Sequence, residues 1–203
     1  MKRIYVSALA LLMAAGAVKA QTGSILVGGD VDYGAIKAPN SGFNTGDKET
    51  KFDFNPTMGY QFNNNWTAGA VALISIDKQT SGSSVNKTNG FAAGPFIRYA
   101  KPLSNMFAAY AQLQGLFGSD KHTFTTGGTG GTTITDKATL TDVRLFPALF
   151  INFKNNFGLN FNIGGIEYTS SKPKGSDATN AFAFTFGKEI GIGVSKNFGG
   201  KKK

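Results

Sequence analysis

Between Lys51 and Trp66 the chain reads KFDFNPTMGYQFNNNW, and every second residue from Phe52 to Phe62 is apolar: Phe52, Phe54, Pro56, Met58, Tyr60 and Phe62. The residues between them, Lys51, Asp53, Asn55, Thr57, Gly59 and Gln61, are all polar or glycine. Successive side chains of a strand point to opposite faces, so a two-residue period gives a strand with one oily and one wet side. Three asparagines close the run and a new alternating run opens at Trp66. This is a hairpin of a β-barrel, and the rest of the chain has to say whether lipid or water surrounds it.

The same alternation recurs along the chain and predicts eight strands: Ile25–Ala35, Lys51–Phe62, Trp66–Ile76, Gly90–Tyr99, Phe107–Phe117, Val143–Phe153, Phe157–Tyr168 and Ala181–Phe198. In the seventh, Gly164-Gly165 marks a bulge after which the apolar phase shifts. No helical period is convincing beyond residue 20. Polar, turn-rich segments separate the strands. Lys37–Thr50, Asp77–Thr88, Ser119–Thr139 and Thr169–Thr179 read as long loops, and Asn63–Asn65, Lys101–Asn105 and Lys154–Asn156 as short turns, so that long and short connections alternate.

Residues 1–20 stand apart. Lys2 and Arg3 precede the apolar run Ile4–Val18, and Val18-Lys19-Ala20 has the form of a small-x-small cleavage site. The run is about 15 residues, short of the roughly 20 that a helix needs to span a bilayer. The expected organisation is a cleaved signal peptide at 1–20, a barrel at 21–198 and a basic tail at 199–203. Export makes nucleic acid an unsuitable partner for the +9 formal charge. The absence of cysteine excludes disulfides, thiolate metal sites and lipidated cysteine.

Charged residues make up only 16% of the chain, low for a protein wetted on every side. Aromatics gather at one set of strand ends (Tyr60, Phe62, Trp66, Tyr99, Phe107, Phe153, Phe157, Phe198) and again at the other (Tyr33, Phe52, Phe54, Phe91, Phe117, Tyr168, Phe182, Phe184). Two such girdles are what the two interfaces of a bilayer favour. Spans of ten residues, the length that crosses a bilayer as a tilted strand, can be placed at 25–34, 53–62, 66–75, 90–99, 107–116, 144–153, 157–166 and 189–198. Within them the apolar phase carries one charge, Lys196, close enough to the end to snorkel, and Lys188 falls just outside. The competing reading is a secreted soluble barrel of the lipocalin type, whose outer face would be crowded with charge. The second face here is glycine, asparagine, threonine and glutamine.

From its GGDVDYG opening to its GIGVSKNF ending, the chain resembles the small OmpA/OmpX-type outer-membrane β-barrels, in particular the outer membrane protein β-barrel domain or porin-family proteins of Bacteroidetes-like bacteria. The resemblance lies in pattern. It implies an eight-stranded antiparallel up-and-down transmembrane barrel, with short periplasmic turns, long extracellular loops and a C-terminal strand read by the outer-membrane assembly machinery. In that family the recognition signal ends the chain on the aromatic, whereas Gly199–Lys203 follow Phe198 here.

The register places Asp30, Asp32, Arg98, Gln112, Gln114, Arg144, Asn160 and Asn162 in the lumen. Buried charges have to be paired, so these form a polar plug or, alternatively, a narrow ion path. The single histidine, His122, lies beside Asp120, Thr123 and Thr125 without a matching serine on its strand. Gly127–Gly131 lacks the helix and lysine of a phosphate loop. No catalytic site, cofactor or metal is expected. The expectation is a monomeric, non-enzymatic outer-membrane protein of a Gram-negative bacterium, in contact with membrane lipid and lipopolysaccharide, with loops free for a partner they do not name. A small channel and a soluble ligand-binding barrel remain as alternatives.

Overall fold

The computed structural model describes residues 22–37, 48–127, 131–154, 156–187 and 190–199. The expected signal peptide, the tail from Gly200, most of the first loop, Gly128–Gly130 of the glycine cluster and Lys188 lie outside them.

The described residues form ten strands: β1 (Ser24–Lys37), β2 (Lys48–Gln61), β3 (Trp66–Ser81), β4 (Ser84–Pro102), β5 (Phe107–Thr125), β6 (Thr133–Lys154), β7 (Phe157–Asn162), β8 (Ile166–Pro173), β9 (Thr179–Phe184) and β10 (Gly191–Gly199). Antiparallel ladders join β1 through β6 in sequence, β6 to β7, β7 to β10, and β10 back to β1. β6 is long enough to pair with β7 along one half and with β8 along the other. β7 with β8, and β9 with β10, are therefore two interrupted strands, and the ring has eight staves.

The first interruption falls at the expected Gly164-Gly165 bulge. Gly164 has φ +79°, a conformation costly for any residue with a Cβ. The second lies between Phe184 and Gly191, where Thr185 and Gly187 donate their backbone N–H groups to Gly165 and Ile163 across the break. The two faults are thus stitched to each other.

Three segments expected as loops are strand instead. The β3–β4 ribbon continues to Ser81 opposite Ser84, β5–β6 to Thr125 opposite Thr133, and β8–β9 to Ser171 opposite Thr179. The apolar alternation stops in these segments, which is why the sequence reads as loop. A ribbon wet on both faces needs no oily side, only residues suited to extended backbone. β-branched Thr123, Thr125, Thr133 and Thr135 supply this, with Thr125 and Thr133 hydroxyls 3.2 Å apart.

The middle of the barrel interior is narrow and mostly filled. Leu26, Val71, Ala92, Phe96 and Leu116 form its buried apolar cluster. Phe96 fits because Gly59 and Gly69, paired across β2 and β3, leave their floor bare. A Cβ on Gly69 would strike the backbone of Met58 and Gly59 and come 2.8 Å from the Phe96 ring. Gly115 has open space instead. Gly69→Ala should therefore destabilise the barrel by about 1–3 kcal/mol, and Gly115→Ala should leave it within about 0.5 kcal/mol. Urea unfolding of both variants in detergent checks this.

Candidate functional site

All eight sequence-predicted lumen residues border interior space. Asp30, Arg98, Gln112, Gln114, Arg144, Asn160 and Asn162 line a central cavity of about 70 Å³, and Asp32 lines a larger chamber above it. Arg98, from β4, donates through Nε and an Nη to Gln112 Oε1 at 2.8 and 2.6 Å. Gln112, only 2% exposed, passes the chain on by donating Nε2 to Gln114 at 2.8 Å. The Arg98 guanidinium also lies 4.1 Å from the centroid of Tyr110, an interior ring the sequence reading left without a role. Arg144 stacks 5.2 Å over Phe146, and Asn160 donates to Ser195 at 2.9 Å. The middle of the lumen is thus a bonded polar layer with room for about two water molecules.

Above this layer the lumen widens into a vestibule of about 660 Å³. Asp30, Asp32, Asp53, Asp142 and Glu167 line it, against Lys51 and Arg144. Asp30 accepts from Asn55 Nδ2 at 2.8 Å, and Lys51 bridges Asp53 at 3.1 Å. Burial works against the Lys51 charge, but Asp53, with Asp77 and Asp32 beyond it, outweighs that and raises its pKa. Asp32 and Asp53 stand directly opposite each other across the β1–β2 ladder.

The outward face is the inverse. Ile25, Val27, Val31, Phe52, Phe54, Met58, Ile74, Phe91, Ile97, Leu113, Phe117, Leu145, Ile166 and Ile192 are all exposed on it. Of the residues expected in the girdle at the short-turn end, Tyr60, Phe62, Trp66, Tyr99, Phe157 and Phe198 are exposed and Phe107 and Phe153 are half-buried. Trp66 and Tyr99 meet edge to face at 5.0 Å. Lys196, the one charge in the apolar phase of the expected ten-residue spans, lies 4.9 Å from the Phe198 ring, directed toward the end of its strand.

The ribbons reveal a feature the strand-by-strand reading missed. Lys37, Lys48, Lys78, Lys87, Lys121, Lys137 and Lys172 keep the phase of the outward apolar residues on their own strands, and all are exposed. They form a basic belt just above the apolar band. Three pairs, Lys37 with Lys48, Lys78 with Lys87 and Lys121 with Lys137, stand directly opposite across a ladder. Like charges in that position are unfavourable unless an anion lies between them. The belt was legible in principle: it appears when the two-residue period is continued past the last apolar residue.

His122 sits in the β5–β6 ribbon, its Nδ1 3.0 Å from Thr88 Oγ1 and its Cα opposite Asp136. Burial raises the pKa of nearby Asp120, against the pull of His122. Ser119 lies opposite Phe91 and Thr139, away from the histidine. No group of three or more metal-ligating side chains occurs among the described residues.

These features define an inside-out β-barrel: a closed antiparallel ring with apolar side chains outward, a polar lumen and hydrophilic ribbons at one end. The chain is similar to the crystal structure of Ail, the attachment invasion locus protein of Yersinia pestis, at 18% identity over 87% of this chain and 99% of the other, with a TM-score of 0.43. It is also similar to the backbone structure of the Yersinia pestis outer membrane protein Ail in a phospholipid bilayer nanodisc, at 16% identity over the same shares, with a TM-score of 0.31. No family model and no curated protein matches the chain.

The opposed lysines give a direct test of the belt. In a neutral detergent at low salt, Lys78→Gln should stabilise the protein by up to about 0.5 kcal/mol. Adding an anionic phosphorylated amphiphile should stabilise the original protein more than the variant, as read by urea midpoints.

Proposed function

We propose that this protein is an outer-membrane β-barrel of a Gram-negative bacterium that spans the bilayer, holds a filled lumen and displays its hydrophilic ribbons at the cell surface. The observation that carries the reading is the inverted polarity of the wall. An apolar outer face ringed by aromatics is stable where the surroundings are hydrocarbon, and water would penalise it. The expected export signal directs the chain to the same place. The lysine belt then falls at the level of the outer leaflet's headgroups, where the phosphates of lipopolysaccharide would lie between the opposed ammonium groups. The C-terminal strand, ending in Phe198, is the segment offered to the assembly machinery. The closed ring supports a monomer.

The role is structural and surface-exposed, with the ribbons as the surface a host or envelope partner would meet, and it requires no enzymatic step. The bonded layer around Arg98, Gln112 and Gln114, with a cavity of about 70 Å³, favours a closed lumen over a channel. Two readouts test this. Envelope fractionation should place the protein in the outer membrane, and unboiled protein should migrate differently from boiled protein on a denaturing gel. In planar bilayers the folded protein should be electrically silent. Protein found free in the periplasm or medium would overturn the membrane reading, and steady single-channel steps would overturn the filled lumen.

A further inference from the structure

Above the central layer, β6 changes partner. It pairs with β7 as far as Ala148 opposite Asn162 and with β8 from Leu145 opposite Ile166. Between the two ladders lies the Gly164-Gly165 fault, where the neighbouring stave is already interrupted. The rungs just above it set Arg144 opposite Glu167 and Asp142 opposite Thr169. A period of two puts Asp142 and Arg144 on one face, so Asp142 stands diagonally across from Glu167. Both carboxyl groups line the vestibule and are in hydrogen-bonding contact. Asp142 is only 9% exposed.

Two carboxylates have only acceptors to offer each other. Their contact is a bond when one of them carries a hydrogen and a repulsion when neither does. The surroundings favour the first state. Burial, then the contact with Glu167 and its charge, push the Asp142 carboxyl up to about 7 against the pull of Arg144. β1 contributes Asp30 and Asp32 to the same chamber, and β2 contributes Asp53 and Lys51, which are bridged to each other at 3.1 Å. β5 faces the pair with neutral Gln114 and Leu116, opposite Arg144 and Asp142, and carries Asp120 higher up. β7 and β10 add neutral Asn162 and Gly191.

We propose that Asp142 and Glu167 form a proton-operated latch between β6 and β8, closed while they share one hydrogen and slackened when it is lost to the medium. Closed, one carboxyl O–H donates to the other carboxylate across the ladder. Open, two anions press apart at the foot of β8, beside the fault, where the wall resists least. The β6–β8 ladder carries the β8–β9 ribbon, so the latch ties the posture of that ribbon to external pH. The vestibule gives the proton its path to the medium. The sign follows from the raised carboxyl. Between roughly pH 4, the ordinary carboxylate value, and about 7 the folded protein holds a proton that the unfolded chain has released. The latch therefore stabilises at the acid end, and its contribution is lost as pH rises through that window.

The test uses the full protein in nanodiscs, after the boiled-against-unboiled mobility shift has confirmed insertion. Backbone amide exchange, corrected for its intrinsic pH dependence, is compared at about pH 5.5 and about pH 8.5, on either side of the raised carboxyl. Protection in β8 should fall by about tenfold or more toward the alkaline end, with the β3–β4 ladder unchanged. Asp142→Asn keeps the shape, removes one charge and leaves an amide N–H to donate to Glu167, so β8 protection should no longer depend on pH. Glu167→Gln should act in the same way. In the original protein, carboxyl carbon shifts of Asp142 and Glu167 should show one inflection near 7. Both carboxyls titrating in the ordinary range, β8 protection independent of pH, or an equal fall in both variants would overturn the latch while the inserted barrel stands. Loosening of every ladder together would overturn it in favour of a global effect of charge. Failure to insert would instead count against the membrane reading.

Discussion

A backbone without water around it has to bond to itself, and this constraint orders the rest of the structure. A sheet with an oily outer face cannot leave edges in hydrocarbon, where each unmet N–H or C=O costs several kcal/mol. The ring meets it by closing β1 on β10 and β5 on β6. Closure with eight staves then dictates a narrow interior, which dictates glycine at Gly59 and Gly69 where the Phe96 ring has to fit. The same small radius leaves the Arg98–Gln112–Gln114 chain as filling, with little space to conduct.

Charge is sorted by the same wall. Apart from Lys51 and the arginines, the inward phase of the upper half is acidic and the outward phase is basic, so the rim carries opposite signs on its two sides. Strand geometry alone produces this, because a period of two separates Asp53 from Lys48 and Asp142 from Lys137 without any turn between them. The segregation gives the upper half two chemically distinct surfaces: a basic belt outside and a chamber inside whose carboxylates face Lys51 and Arg144.

The barrel was legible because its code is local. Each apolar position is two residues from the next, and the Gly164-Gly165 fault announced itself by shifting that phase. The expected lumen residues rest on the same count. What the sequence hid were features that need a partner strand. The ribbons beyond Ile76 and Phe117 have no oily face, so threonine-rich strand and loop look alike until Thr125 is seen opposite Thr133. The opposed lysines exist only in register. The second fault, between Phe184 and Gly191, keeps the apolar phase on both sides, so the final stave reads as continuous although its upper half turns from β1 to β8.

In the proposed orientation the apolar phase faces lipid and the other phase faces the lumen. Because the chain has no cysteine, single labels can be placed without background. A fluorophore on Ile97→Cys, outward in the middle of β4, and one on Glu167→Cys, in the vestibule, would be compared in vesicles containing acyl-chain nitroxide lipids. Strong quenching of the first and little of the second is expected, with the order reversed for a water-soluble quencher. Quenching of both labels by the aqueous quencher alone would contradict it and show the outer wall in water.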